Sequence, residues 1–336
     1  MIDLPPGFTA RPVTLETDVH ALVELWSSVA IADYGVSDVD ERLVRGAYTL
    51  PAFDPESDSC VVFDPEGRAA GVIDYYDGEE MHVAPYAFLR VRPDLAASGL
   101  TDALLRRADR LANERLHRAP AGARVAMVTD VPSVNAAVIA ALQRSGWRRD
   151  RTDLTMEIDL VAASPIPEPA WPDGIAIRSA DLERDARAIH RAEEDFFSDH
   201  YGFVPEPFAE WFHFRTEFRA AEPELWFLAM DREEIAGMAL CSSTRPGEPD
   251  LGWVSTLGVG RPWRRRGLAL AILRHAFRVL GDRGCRRVGL GVDAQSLTGA
   301  TRLYERAGMR PVRTSYRYER LIRDGRDLRT VELTAG

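Results

Sequence analysis

The chain carries its own repeat at half its length. Val91-Arg92-Pro93-Asp94-Leu95-Ala96-Ala97-Ser98-Gly99-Leu100 precedes Val259-Gly260-Arg261-Pro262-Trp263-Arg264-Arg265-Arg266-Gly267-Leu268 by 168 residues in a chain of 336. Val91, Gly99 and Leu100 recur as Val259, Gly267 and Leu268. The same offset sets Leu100, Leu104, Ala108 and Leu111 against Leu268, Ile272, Ala276 and Val279, a spacing that lines one face of a helix in each copy. A later pair of helices is expected over Ser133–Ser145 and Thr298–Ala307, closed by Gly146-Trp147 and Gly308-Met309, where glycine suits a left-handed cap. A long-period repeat of this kind is one structural unit written twice.

Both halves share a coarse order of elements. In the second, strands are predicted over Leu225–Met230, Ile235–Ser242, Leu251–Val259, Val288–Val292 and near Ser315–Leu321. The first offers Cys60–Phe63, the Asp64-Pro65-Glu66-Gly67 turn, Ala69–Tyr75, Met81–Val91 and Arg124–Thr129. One or two helices lead each half. The fold class is therefore α/β, two tandem domains with a mixed central β-sheet flanked by helices. Between them, Val161 to Pro172 carries Pro165, Pro167, Pro169 and Pro172 and reads as a stiff linker. The expected division is 1–160, a linker over 161–172, and 173–336.

Composition removes whole classes of chemistry. The chain has no lysine, so all 42 of its basic residues are arginine. That excludes a P-loop lysine, a lysine Schiff base and a Ser-x-x-Lys nucleophile. Cys60, Cys241 and Cys285 are too scattered for a disulfide framework, the seven histidines form no His-Glu-x-x-His, and no metal site is expected. A net charge of -10 opposes non-specific binding to nucleic acid or anionic membrane. The longest unbroken apolar stretch, Ala136–Leu142, is far below the ~20 residues of a spanning helix. No secretory signal is read at the N-terminus, so a cytoplasmic protein is expected, without membrane or nucleic-acid partners.

The stretch at 251–280 is richest in chemical meaning. Arg264-Arg265-Arg266-Gly267-Leu268-Ala269 follows an apolar strand and opens an apolar-faced helix. A helix N-terminus presents N–H groups without internal partners and a partial positive charge, to which phosphate is the natural guest. Gly267 lets the backbone approach an anion, Ala269 keeps that surface low, and arginines add permanent charge. A solvated arginine face is the plainer alternative. From Arg261 to Arg287 there are nine arginines, but only Trp263 and Phe277 are interleaved with them, a weak case for nucleic acid.

On these residues the second half resembles the GNAT superfamily of acyl-CoA-dependent N-acetyltransferases, whose loop reads Gln/Arg-x-x-Gly-x-Gly/Ala. Arg264-x-x-Gly267-x-Ala269 matches at each fixed position, and Leu303-Tyr304-Glu305-Arg306-Ala307-Gly308 agrees. The tandem layout is similar to that of the mycothiol synthase family. The resemblance covers roughly 173–322 well and 8–160 in plan only. It implies two GNAT-like domains, with acetyl-CoA as cosubstrate. Leu257 and Val259 would offer backbone groups to the pantetheine arm, and the amides of Arg264, Arg265, Arg266, Gly267, Leu268 and Ala269 would hold the diphosphate. Tyr304 falls where many members keep the acid that protonates the departing thiolate, with an ordinary packing tyrosine as the alternative. The family often keeps a base near the third strand of this core, where Asp250 stands with Glu248 before it.

Further acids, Glu193, Glu194, Asp195 and Asp199, cluster with His200 on the leading helix and its exit, either as solvated charges or for a cationic substrate. The aromatic run from Phe196 to Phe214 reads as an acceptor-pocket wall or as core. In the first half Ala96 replaces Arg264, Thr101 replaces Ala269 and Leu142 replaces Tyr304, so that domain is expected to be a degenerate copy. The expected activity is acetyl transfer to a small-molecule amine by direct attack, in the C-terminal domain. A non-enzymatic acyl-CoA-binding or ligand-sensing protein is the alternative. Two fused copies suit a monomer with an internal pseudo-dimer, or a homodimer.

Overall fold

In the computed structural model, residues 3–163, 165–296 and 299–331 are described. The chain forms two compact units. Unit 1 holds the residues up to Thr152, Val204–Arg219 and Ser315–Arg329; unit 2 holds Asp153–Phe203, Ala220–Thr314 and the residues from Thr330.

Unit 1 opens with β1 (Thr9–Arg11), α1 (Leu15–Tyr34), α2 (Glu41–Tyr48) and the short α3 (Pro55–Asp58). Next come β2 (Ser59–Phe63), β3 (Ala69–Tyr76), β4 (Tyr86–Val91), α4 (Leu100–Arg115), β5 (Val125–Pro132) and α5 (Ala136–Arg144). Strands β1 to β4 pair antiparallel in sequence order, and β4 meets β5 in parallel. Two cores sandwich this sheet, each supplied by the helix periodicity. On one face Leu22, Leu25 and Trp26 of α1 meet Val61 and Val72, and on the other Leu100, Leu104 and Ala108 of α4 meet Met127 and Leu142. The strand expected from Met81 starts only at Tyr86, because Asp77 to Pro85 turn irregularly, with His82 at positive φ.

Unit 2 contains β6 (Arg148–Asp159, from Asp153 onward), β7 (Ile175–Ser179) and α6 (Leu182–Phe197). The stretch Val204–Arg219, with α7 (Phe208–His213), belongs to unit 1. The unit continues with β8 (Trp226–Asp231), β9 (Glu234–Ser242), β10 (Leu251–Val259), α8 (Leu268–Asp282), β11 (Arg287–Asp293) and α9 (Ala300–Arg306). Its strand order is β6-β11-β10-β9-β8-β7, parallel only between β10 and β11. The apolar stripe of α8, Leu268, Ile272, Ala276 and Phe277, packs on Phe227, Ala239, Val254 and Leu290. The expected helix start at Thr298 lies outside the described residues.

Three features depart from the expected division. The last strand, β12 (Arg310–Arg323), pairs with β5 of unit 1 through Ser315–Arg323, although its sequence follows the second repeat. Conversely, Asp153–Asp159 of β6 pairs antiparallel with β11 in unit 2. Each unit thus takes its sixth strand from beyond its own repeat. Nor is 161–172 a free spacer: Ile166 and Trp171 pack on the core of unit 2, and Glu168 pairs with Arg278. The aromatic run is divided too. Phe196–Phe203 stays in unit 2, whereas Phe208–Phe218 docks on α2 of unit 1, so closely that a Cβ on Gly46 would lie 2.7 Å from the Cα of Phe218.

Candidate functional site

Strand β10 contains one extra residue. Val254 pairs with Cys241 of β9 and Thr256 with Leu240, leaving Ser255 as a bulge. A bulge bends its strand and exchanges the faces of the residues beyond it. Here it keeps Leu257 and Val259 on the α8 core, and turns Thr256 and Gly258 toward α6. The parallel pairing with β11 stops at the same place, Val254↔Leu290 being the last pair. On the other side, Gly260 donates to the carbonyl of Ala236. By antiparallel alternation the N–H and C=O of Leu257 and Val259 then point away from β9, into the opening toward β11. The residue of β11 facing that opening is Gly291, around which a Cβ would meet nothing within 4 Å.

The loop leaving β10 is fixed from both sides. Trp263 donates its indole N–H to Asp231 at 2.8 Å. Arg264 pairs with buried Asp199 and donates to the carbonyls of Val259 and Phe196, both at 3.0 Å. Burial alone would raise the Asp199 carboxyl, but Arg264 more than reverses this and holds it below the usual range. Gly258 and Gly260 let Phe196 lie on the strand: a Cβ at either would come within 2.9 Å of its ring. Arg265 adopts φ +62° and Gly267 φ +83°, so the chain enters α8 through left-handed geometry that glycine takes without strain. Among the described residues no acceptor meets the amides of Gly267, Leu268, Ala269 or Leu270, and a Cβ on Gly267 would stand in open space. Arg265 and Arg266 are exposed beside them.

This geometry shows how two residues of the expected loop set are engaged within the protein. Arg264 is spent within the protein: its guanidinium is bonded as above and its amide donates to the carbonyl of Arg261. The carbonyl of Val259 accepts from Arg264, while its N–H points, like that of Leu257, away from β9.

Tyr304 of α9 is buried in the core of unit 2, and burial pushes its hydroxyl up to about 12. Asp250 lies apart from this region. It precedes β10 at the end remote from the loop, nine residues before Val259 and so roughly 30 Å away along an extended strand. There it accepts from Arg287 at 3.0 Å, in a network with Glu157 and Glu248, and Arg287 holds its carboxyl low. Asp250 is thus the ion-pair partner of Arg287 at the end of β10 remote from the loop. Of the acids on α6 and its exit, Asp199 is the partner of Arg264, and Glu193 accepts from the hydroxyl of Thr256 at 3.0 Å. Burial lowers His200, which keeps the imidazole neutral, and its ring lies edge-on to Phe197.

Unit 1 repeats the frame without the bulge, and its parallel pairing of β4 with β5 likewise ends early, at Tyr86↔Val128. Its β4 pairs with β3 in unbroken register from Tyr86↔Tyr76 to Val91↔Gly71. Thr129 of β5, on the α4 face between Met127 and Val131, donates to the carbonyl of Ala87 at 2.7 Å, just past the last parallel pair. At the start of α4 the hydroxyl of Ser98 accepts from the amide of Leu100 at 3.2 Å, where unit 2 leaves Leu268 unmet. Gly99 keeps the left-handed cap, φ +81°.

The profile of the acetyltransferase (GNAT) family matches residues 186–309, which hold both the loop and Tyr304. A mycothiol acetyltransferase of Salinispora arenicola is 32% identical over 52% of the chain and 57% of its own length. The chain thus spans little more than half of that relative. One from Thermomonospora curvata is 31% identical over 76% of the chain and 83% of the relative. Among solved structures, a GCN5-related N-acetyltransferase from Sphaerobacter thermophilus superposes with a TM-score of 0.76 at 32% identity, covering 97% of this chain and 99% of that one.

Proposed function

The chain belongs to the GNAT family of acetyltransferases, acyl-transferring enzymes whose donor is acetyl-CoA, and from that premise we propose that unit 2 acetylates the amine of a small molecule. One observation carries this reading: the bulged strand β10 parts from β11 and leads directly to a helix start whose amides are open. In this proposal the amides from Gly267 to Ala269 receive the diphosphate, with Arg265 and Arg266 adding charge. The backbone of Leu257 bonds the pantetheine arm in the gap that Gly291 leaves. Leu268, buried beneath the loop, anchors the helix start, and the Arg264–Asp199 pair keeps the loop in shape.

The chemistry asked of the protein is modest. A thiol of pKa ~8.5 leaves readily as thiolate, so a well-placed acid adds to the rate without being indispensable. Tyr304, raised to about 12 by burial, is protonated throughout the physiological range and serves as that acid. The catalytic domain proposed over 173–336 is completed by the strand Asp153–Asp159. Unit 1 is proposed to be a degenerate copy: the unbulged strand β4 and the Ser98 cap support this reading.

Thiol release from acetyl-CoA over a panel of small amines tests the proposal. Amine-dependent release that disappears in Gly267→Val is the expected result. Binding of CoA with no release for any amine contradicts the transfer reading and favours an acyl-CoA-binding sensor.

A further inference from the structure

We propose that Glu193 receives the acceptor's ammonium group and takes its first proton, with Thr256 as the residue that positions it. The inference rests on reading unit 2 as an amine acetyltransferase. Helix α8 covers one face of the sheet at Leu257, so an acceptor meets a thioester beside Leu257 from the α6 face. The bulge at Ser255 turns Thr256 onto that face, and its buried hydroxyl fixes one carboxylate oxygen of Glu193 at 3.0 Å. Helix α6 is held rigidly on both sides of Glu193, by buried Ile189 one turn before and by Phe196 lying on Gly258 and Gly260 one turn after. The carboxylate is therefore set one residue along the strand from the backbone proposed to hold the acyl arm. Asp250, the other carboxylate associated with this strand, lies near its far end.

An amine with a pKa near ~10.4 arrives as an ammonium ion and must lose a proton before it can attack. Glu193 first pairs with that charge and then accepts the proton, which it later releases to water. The neutral nitrogen attacks the thioester carbonyl, the C–N bond forms and the C–S bond breaks. The second proton shed by nitrogen ends on the departing sulfur, delivered through the Tyr304 hydroxyl.

The test compares the best acceptor of the amine panel with an analogue whose nitrogen is kept neutral at pH 7 by adjacent fluorines, using the full chain and acetyl-CoA. Glu193→Gln is expected to lower kcat/KM by ~10²-fold for the ammonium acceptor, the range of a lost general base, and by less than about threefold for the fluorinated one. Thermal protection by CoA should stay as in the wild type. Equal losses with both acceptors, or none with either, would overturn the role of Glu193. Should Glu193→Gln fail to fold, Thr256→Val carries the same test, with a raised KM for the ammonium acceptor alone as the expected outcome and a uniform loss as the contrary one. A wild-type protein that binds CoA but acetylates no amine removes the parent reading and this inference with it.

Discussion

Arg264 shows how a motif residue can serve the site without touching a ligand. Its guanidinium joins the exit of α6, through Asp199 and the Phe196 carbonyl, to the end of β10. Asp199→Asn is expected to cost ~1.5–3 kcal/mol, the range of hydrogen bonds to charged groups, and to raise KM for acetyl-CoA more than it lowers kcat. An unchanged KM with a lowered kcat would assign Asp199 to chemistry instead. Tyr304 makes a second, separable case. An acid acts while protonated, so its contribution is present below its pKa and lost as pH rises through about 12. The deficit of Tyr304→Phe in kcat, ~10²-fold at most for so good a leaving group, should therefore stay constant from pH 7 to pH 10. A deficit that vanishes by pH 9 would show that some other group is titrating. The motif Arg264-x-x-Gly267-x-Ala269 made this loop legible in the sequence, but the partner of Arg264 was not, because Asp199 lies 65 residues earlier and only the packing of α6 brings it close.

At the scale of elements, the two halves differ by one residue of strand. The bulge at Ser255 re-aims β10 where its pairing with β11 ends, whereas β4 runs against β3 in unbroken register. Gly291→Thr places a side chain on β11 where its pairing with β10 has ended. Since a strand accepts threonine better than glycine and the surrounding space is open, the variant should be as stable as the wild type or up to ~1 kcal/mol more so. It should also lose the thermal protection that CoA confers, worth about 2.7 kcal/mol at a hundredfold excess over Kd. Protection retained in Gly291→Thr would mean that the arm does not run between these strands. The limits of β10 could be read from its apolar pattern, Leu251 to Val259, as the structure has them. The bulge within it could not, since Val-Ser-Thr-Leu is as regular as any strand and only the count against β9 exposes the extra residue.

For the whole molecule, the repeat at 168 residues announced two copies of one plan, but not how the chain closes them. The sequence of β6, Arg-Arg-Asp-Arg-Thr-Asp at its start, is too charged to read as a strand. A repeat also fixes what each copy contains without fixing which segment completes it. With Asp153–Asp159 in unit 2 and Ser315–Arg323 in unit 1, a fragment cut at the proline-rich segment lacks one strand and carries another whose partner is gone. Residues 173–336 produced alone should therefore show no cooperative unfolding transition and no protection by CoA. A fragment that melts cooperatively and binds CoA would contradict the strand exchange. Calorimetric titration with CoA, on the wild type, Gly267→Val and Gly99→Val, shows whether the cosubstrate sits at the start of α8. Both glycines take the same left-handed φ, so the two substitutions carry similar backbone strain and differ only in which helix start they block. One CoA site per chain, lost in Gly267→Val and kept in Gly99→Val, is the expected result. A site that survives Gly267→Val, or one that disappears with Gly99, would place the cosubstrate elsewhere and contradict it.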